Sequence, residues 1–119
     1  MDSILQTIKQ LIGGDAESDA FDVDLITTIN SALYRLYTLG VCDAMTVSDE
    51  TQLWSDLWSD DEEKEKYLAS VRTYVYLKVK LVFDISSMTS YVIQALERQV
   101  NELEWTLNVI AENQNGEQT

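Results

Sequence analysis

The sequence predicts a mainly α-helical domain: a small bundle of four to five helices with a long C-terminal helix and room for a short hairpin or strand near residues 41–47. Three observations predict this fold. The 119 residues include no proline and only four glycines, so few positions interrupt a helix. Apolar residues recur at helical spacing in several long segments. The length suits one domain, which we assign to residues 1–112, followed by a polar tail at 113–119 that we expect to be disordered.

Two amphipathic helices are predicted at the start of the chain. The first covers residues 3–12 and ends at Gly13-Gly14. The second covers residues 22–39, with Asp22 as its N-cap and Gly40 at the position after a helix end that glycine commonly fills. Its buried stripe is predicted to consist of Ile26, Ile29, Leu33, Leu36 and Tyr37.

The middle of the chain is predicted to hold a short helix and then a long one. Ser48-Asp49-Glu50 places acids at the positive end of a helix dipole and predicts a short helix that carries two tryptophans. The longer helix runs to Phe83. Ser59, followed three residues later by Glu62, fits a capping box at the start of this longer helix.

The periodicity of residues 71–83 fits two structures. Apolar and polar residues alternate there as in a half-buried strand, and the β-branched content favours that interpretation. A helical stripe is also present, formed by Leu68, Val71, Val75, Val79 and Val82. We predict a helix because the run exceeds twenty residues without a turn signal, whereas strands average about five or six residues.

A long final helix is predicted from Met88 to Glu112. Its apolar residues are spaced alternately by three and four, which is an a/d seam: Ile93, Leu96, Val100, Leu103, Leu107 and Ile110. A seam of under three heptads fits packing inside a bundle, and it also fits a contact between subunits.

The charge of the chain is strongly negative. Its 21 acidic and 8 basic residues give a net charge of −13, which repels nucleic-acid phosphates and anionic membranes. Nine carboxylates fall between Asp43 and Glu65. Four consecutive acids among them form either a solvated loop and helix start or a surface that faces a basic partner: Asp60, Asp61, Glu62 and Glu63. The chain shows neither a signal peptide nor 18 successive uncharged apolar residues, so no membrane location is expected.

The inventory of reactive side chains is small. Histidine is absent, which removes the most common general base and metal ligand. The single cysteine, Cys42, excludes an intramolecular disulfide and a thiolate zinc site, and we expect it to be a small buried hydrophobe. Asp15, Glu17 and Asp19 have the spacing of the first calcium-loop ligands, but the glycine and the final glutamate of such a loop are missing. The sequence therefore predicts no enzyme activity, no metal site and no cofactor.

The tryptophans are candidates for an interface. Trp54 and Trp58 are predicted to share one helix face, where they are either core anchors or a binding hot spot ringed by acids. Trp105 is expected in the core or at its rim, as are Tyr67 and Tyr74. The candidate residues for a partner or subunit interface are Trp54, Trp58, Asp60, Asp61, Glu62, Glu63 and Trp105.

Four stretches of the chain resemble segments of a known protein family in their order and in their local sequence. They are Phe21-Asp22-Val23-Asp24-Leu25-Ile26, the continuation from Asn30-Ser31 to Leu39-Gly40-Val41, the segment from Val71 to Asp84, and the segment from Ala95 to Trp105. With a short helix in front of them, they resemble the head-tail connector proteins (adaptor or head-completion proteins) of tailed bacteriophages and prophages. The resemblance covers most of residues 1–112 and contains no chemically unique motif.

The resemblance implies a structural virion protein without catalytic residues. Such a protein is assembled in the host cytoplasm and forms a ring at the head-tail junction, where it joins the portal to the stopper or tail-completion protein. The ring extends the channel through which genomic DNA passes without sequence-specific binding. The alternative is an acidic protein that mimics DNA or regulates a basic partner, although the concentration of the acids in the first half of the chain counts against it. A helical scaffold without a phage role is a third possibility.

Overall fold

Four α-helices and two short 3-10 turns make up the computed structural model, which describes residues 3–13 and 21–117, the side chains of 114–117 excepted. The helices are α1 (Ile4–Leu11), α2 (Asp22–Thr38), α3 (Asp61–Phe83) and α4 (Ser90–Glu117), and the 3-10 turns are Trp54–Leu57 and Ile85–Ser87. The predicted mainly helical bundle is confirmed. The calcium-loop residues Asp15, Glu17 and Asp19 lie outside the described residues.

Helix α3 is the central element, and it packs against the other three helices and the first 3-10 turn. Its buried residues are Tyr67, Val71, Tyr74, Val75, Leu77 and Val79. At 100° per residue these positions cover an arc of roughly 200° around the helix, which is wider than a single amphipathic stripe. The alternation that resembled a strand therefore belongs to a helix buried on more than one side, and the helix prediction is confirmed.

The start of α3 differs from the predicted capping box. Asp60 is the N-cap, and its carboxylate accepts a hydrogen bond from the Glu62 amide at 2.9 Å. The prediction of Ser59 as the cap is wrong by one residue. An aspartate at position 60 can accept from the second amide of the helix, so the serine before it is not needed.

The N-cap of α2 lies one residue before the predicted one. Phe21 is the N-cap, and Asp22 is the first helical residue. The carboxylate of Asp22 lies 2.7 Å from the ammonium of Lys9, a side chain that is almost completely buried. This ion pair ties α1 to α2, which is why the carboxylate does not cap the helix.

The end of α2 is the predicted one. Gly40 has a φ of +82°, a conformation that glycine adopts without steric cost. The amide of Val41 donates to the carbonyl of Leu36, and that of Gly40 donates to the carbonyl of Tyr37, both at 3.0 Å. These two bonds form a Schellman motif that satisfies carbonyls at the helix end.

The buried stripe of α2 is shifted from the predicted one. It consists of Leu25, Ile29, Ala32, Leu33 and Leu36. Ile26 is half-buried, and the prediction that Tyr37 is buried is wrong. Because the stripe is centred about one residue earlier, Tyr37 and Tyr34 point to the outside of the bundle.

The connection between α2 and α3 is irregular. The alternative of a strand or hairpin at 41–47 is wrong, since residues 43–48 form a loop and no strand occurs among the described residues. The short α-helix predicted from Ser48 is also wrong. The side-chain oxygen of Gln52 accepts from the amides of Ser48 and Asp49, which closes a turn in place of a helix start. A 3-10 turn follows only at Trp54–Leu57.

Helix α4 is longer than predicted. It begins at Ser90, with the Thr89 hydroxyl accepting from the Val92 amide at 3.2 Å, and its backbone continues to Glu117. The predicted ends at Met88 and Glu112 are thus displaced, because a 3-10 turn precedes the helix and no proline follows it. The division into a domain at 1–112 and a disordered tail at 113–119 stays a prediction.

The seam of α4 faces the rest of the chain most closely around the middle of the helix. Val100 and Leu107 are buried, whereas Ile110 is exposed, and the remaining members are half-buried: Ile93, Leu96 and Leu103. Helix α4 packs on α3. It is also tied to α2, since Arg35 contacts Glu104 at 2.6 Å. The seam thus packs inside the bundle.

Candidate functional site

Trp54 and Trp58 belong to the core of the single chain. Their exposed fractions are 3% and 9%. The indole N–H of Trp58 donates to the carbonyl of Val41 at 2.8 Å, and its ring stacks on Tyr67 with planes 12° apart. The guanidinium of Arg72 lies over the ring of Trp54 at 5.7 Å. Of the two alternatives that the sequence left open, the geometry matches core anchoring.

The two tryptophans do not share a helix face. Trp54 lies in the 3-10 turn, and Trp58 follows that turn in extended conformation. The expectation of a common face is therefore wrong, because the α-helix on which it depended is not formed.

The acidic stretch surrounds the start of α3. Asp60, Asp61 and Glu62 are exposed, and Glu63 is half-buried. Asp60 caps the helix, and the other three carboxylates occupy its first turn, where they stabilise the positive end of the dipole. Local helix stability therefore accounts for the position of these acids, and three of them also remain accessible to a partner.

Trp105 is the exposed tryptophan, with 69% of its surface accessible. It belongs to a shallow surface that we call the α4 outer face, lined by Gln94, Glu97, Arg98, Asn101, Glu102 and Trp105. Trp and Arg are the residue types enriched where interfaces derive most of their binding energy. The expectation of Trp105 in the core or at its rim is wrong, since α4 directs this position away from α3.

A second surface lies on the outside of α2 and was missed in the sequence. This α2 groove has a volume of about 440 Å³ and is lined by Thr27, Asn30, Ser31, Tyr34, Tyr37, Ala44, Met45 and Thr46. None of these residues is charged. The side chain of Asn30 holds the loop wall in place, because its oxygen accepts from the Val47 amide at 2.7 Å and its nitrogen donates to the Val47 carbonyl at 3.0 Å.

A signal for the groove was present in the sequence. Val23, Thr27, Asn30, Tyr34 and Tyr37 are spaced alternately by four and three residues, as on one helix face. That second stripe runs beside the buried one, and only the structure shows which of the two faces the core.

A third surface is the turn between α3 and α4. We call residues 81–93 the hairpin tip. Four large apolar side chains of the tip are exposed: Val82, Ile85, Tyr91 and Val92. Several large apolar side chains exposed at one turn are a feature of interaction surfaces.

A polar cluster joins the three long helices. Arg35 on α2 binds Glu104 on α4, and the hydrogen bond from its guanidinium to this carboxylate raises the pKa of Arg35. The hydroxyl of Tyr74 on α3 is buried and has no hydrogen-bond partner of good geometry among the described residues. Burial is the main cause that raises the pKa of Tyr74 to about 12, and the negative charge of Glu104 adds to it. The cluster therefore acts as a structural tie between helices.

Cys42 lies in the core, as expected from the sequence. Burial, and then the neighbouring carboxylate of Asp43, raise the pKa of its thiol to about 12. The thiolate is the reactive form of cysteine, so Cys42 is held in an inert state at neutral pH.

The described part of the chain contains neither a cluster of metal-binding side chains nor a membrane-spanning helix. No three side chains of the metal-binding types His, Cys, Asp and Glu converge on one point in this part of the chain. No described helix has the length and hydropathy that crossing a membrane requires.

A family model for phage connector proteins matches residues 4–114. The match spans all four helices and the three surfaces described above. The chain belongs to the phage connector protein family. No curated protein matches the chain. No solved structure matches it either.

Membership confirms the resemblance to head-tail connectors. The family is one of structural phage proteins. Connectors associate with other proteins of the phage head and tail. The features of this connector that bear on function are therefore its interaction surfaces.

Proposed function

We propose that this connector forms a ring that joins the portal of the phage head to the stopper or tail and extends the DNA channel. The observation that carries the proposal is the presence of three separate exposed surfaces on a chain that already has a complete core: the α4 outer face, the α2 groove and the hairpin tip. A subunit of a closed ring needs two different surfaces for its two neighbours, and a third for the protein above or below it.

The charge of the connector supports a place beside passing DNA. A net charge of −13 repels phosphates, so the wall of a channel built from this chain would not hold DNA by counterion release. DNA that has to move through the junction is then not retained by it.

Two surfaces are proposed to face the portal, the stopper or the tail. One is the α4 outer face, where Trp105 supplies an aromatic anchor. The other consists of the exposed carboxylates Asp60, Asp61 and Glu62, which suit a basic patch on a partner. Trp54, Trp58 and Glu63 are not proposed as contact residues, since they are buried or half-buried in the single chain.

The proposal is tested with the purified connector and the portal protein of the same phage. Light scattering after size-exclusion chromatography, over a wide range of concentrations, should give the mass of a multi-subunit ring, either alone or with the portal as template. Negative-stain images should show rings on the portal. Trp105→Ala should weaken binding to the portal or to the stopper at least about tenfold, the loss expected for a hot-spot residue.

Thr73→Ala is the matched control, because it changes an exposed residue of α3 outside the three surfaces. It should leave partner binding unchanged. A connector that remains monomeric with the portal present, and that instead binds a basic DNA-binding protein, would contradict the ring and favour the acidic interaction protein.

A further inference from the structure

We propose that the hairpin tip of one connector docks in the α2 groove of a second copy, so that neighbouring copies contact one another head to tail. This inference rests on the proposed ring and specifies the two surfaces from which the ring is built. The tyrosines that lead each surface, Tyr91 on the tip and Tyr34 in the groove, lie outside the core of the single chain.

The groove suits an apolar occupant. Its lining is uncharged in a chain of which 24% of residues are charged, and two tyrosines form much of its wall. Tyr34 is 67% exposed, and its ring lies 6.1 Å from that of Tyr37. Tyrosine rings offer apolar area at a low entropic cost and keep a hydroxyl for the rim, as is common in interfaces.

The tip offers apolar side chains that suit an uncharged groove. It is the turn between α3 and α4, and beside the smaller exposed residues Ser86, Ser87, Thr89 and Ser90 it exposes four large apolar side chains: Val82, Ile85, Tyr91 and Val92. Tyr91 is the most exposed of them, at 80%. Burial of these side chains in an uncharged groove removes apolar surface from water, which is the main driving force of association.

The distribution of charge favours a second copy as the occupant. Residues 67–98 contain four bases and two acids, a net charge of +2, so the rest of the chain carries −15. Two copies of a chain with net charge −13 repel each other over most of their surfaces. The region that includes the tip is therefore the part of one copy that is attracted to the negative surface of a second copy.

The surroundings of the groove show the same complementarity locally. Asp24 lies one turn before Thr27 on α2, and Asp43 precedes Ala44 in the loop wall; both acids are exposed. On the tip side, Lys80 lies one residue before the start of the tip, and the one charged residue within the tip, Asp84, is half-buried. Opposite charges at the rim of an interface fix its orientation and select the correct partner.

A head-to-tail contact of this kind is heterologous, because the tip and the groove are different surfaces. An open chain of copies leaves one tip unoccupied at one end and one groove at the other, and only closure into a ring covers them all. Tip-to-groove docking therefore accounts for assembly beyond a dimer without any further surface.

Two charge-introducing variants test the contact. Tyr91→Glu alters the tip, and Tyr34→Glu alters the groove. Both positions are exposed in the single chain, and glutamate is compatible with the first turn of α4 and with the middle of α2. Each variant should raise the apparent dissociation constant of self-association at least about tenfold, since an unpaired carboxylate would be buried in the contact.

A mixture of the two variants gives the decisive readout. Tyr34→Glu keeps an intact tip, and Tyr91→Glu keeps an intact groove, so one intact contact can form between them. The equimolar mixture should therefore give a species of two chains by light scattering, and neither variant alone should give it. Leu11→Glu is the matched control, because it places the same charge on an exposed apolar residue outside all three surfaces, and it should assemble like the wild type.

The outcomes separate this inference from the proposed function. Rings that persist in both variants would overturn the tip-to-groove contact and leave the ring itself standing. A wild-type chain that stays monomeric at every concentration and also on the portal would overturn the ring and the contact together. Circular dichroism and thermal melts of both variants show whether each one is folded, so loss of assembly is not confused with unfolding.

Discussion

The two ends of α3 differ sharply in what covers them. Near its start, the helix lies against the connection from α2, and the aromatic side chains there are buried: Trp58 and Tyr67. Near its end, smaller apolar side chains point to water, Val82 and Ile85 among them. Apolar side chains thus stabilise the single chain at one end and remain available for association at the other. We refer to these as the closed end and the open end of α3.

The largest contrast is expected in the reactivity of thiols at the two ends. Cys42 lies at the closed end with a pKa of about 12, against an ordinary value of 9.0. At pH 8 its labelling by a thiol reagent should be slower than that of an exposed thiol by about two to three orders of magnitude. A second thiol introduced by Ile85→Cys at the open end should react at the rate of a free cysteine.

The sign of the accompanying pH effect follows from the raised pKa. The folded chain holds the thiol proton more tightly than the unfolded chain does. The corresponding stability is present below pH 9 and is lost as the pH rises toward 12. Equal labelling rates for the two thiols at pH 8 would contradict the assignment of Cys42 to a closed core.

The second contrast concerns the tryptophans. Trp58→Ala removes a buried ring, its stack on Tyr67 and its hydrogen bond to Val41, so we expect a loss of about 3–5 kcal/mol in the free energy of unfolding. Trp105→Ala removes an exposed ring and should change the free energy of unfolding by less than about 0.5 kcal/mol. Urea unfolding followed by circular dichroism measures both, and similar losses would show that the two rings are not differently buried.

The third contrast concerns the wall of the α2 groove. Asn30→Ala removes both hydrogen bonds to Val47 and leaves a buried backbone amide unpaired, at a cost of about 1–3 kcal/mol. Ser31, at the next position of α2, is exposed, so Ser31→Ala should leave the free energy of unfolding almost unchanged. An unchanged unfolding midpoint for Asn30→Ala would mean that this side chain does not hold the loop to the helix.

The smallest effect is expected at Gly40. Gly40→Ala places a Cβ at a φ of +82°, which costs roughly 1–2 kcal/mol, while Ala111 at 3.6 Å is at ordinary contact distance. Gly40→Asn should lose less, because asparagine tolerates this conformation better than alanine. If alanine and asparagine gave equal losses by thermal melting, the backbone conformation would not be the cause.

The sequence predicted the elements that depend on local pattern. Helical stripes and the glycine after α2 gave the existence and approximate bounds of all four helices. The N-caps were less predictable, because a carboxylate near a helix start can be used elsewhere: Asp22 binds Lys9 on another helix. The short helix predicted from Ser48 is not formed, because the side-chain oxygen of Gln52 accepts a hydrogen bond from the Ser48 amide and closes a turn there.

The functional surfaces depended more strongly on tertiary structure. Whether a tryptophan is an anchor or a hot spot is decided by distant partners, such as the Val41 carbonyl that binds Trp58. The two stripes of α2 have similar periodicity, so the pattern alone does not tell which one is covered. The family, by contrast, was recognisable from the order and local sequence of its segments, and the match of the family model over residues 4–114 confirms the resemblance.

Tip-to-groove docking is tested most directly by hydrogen-deuterium exchange of the wild-type connector below and above the concentration at which it assembles. Amides of the hairpin tip and of the groove wall at 43–48 should exchange more slowly in the assembled protein. Amides at the start of α3 should exchange at the same rate in both states. Assembly without any change at the tip and the groove would contradict the claim that the open end of α3 is covered by a second copy.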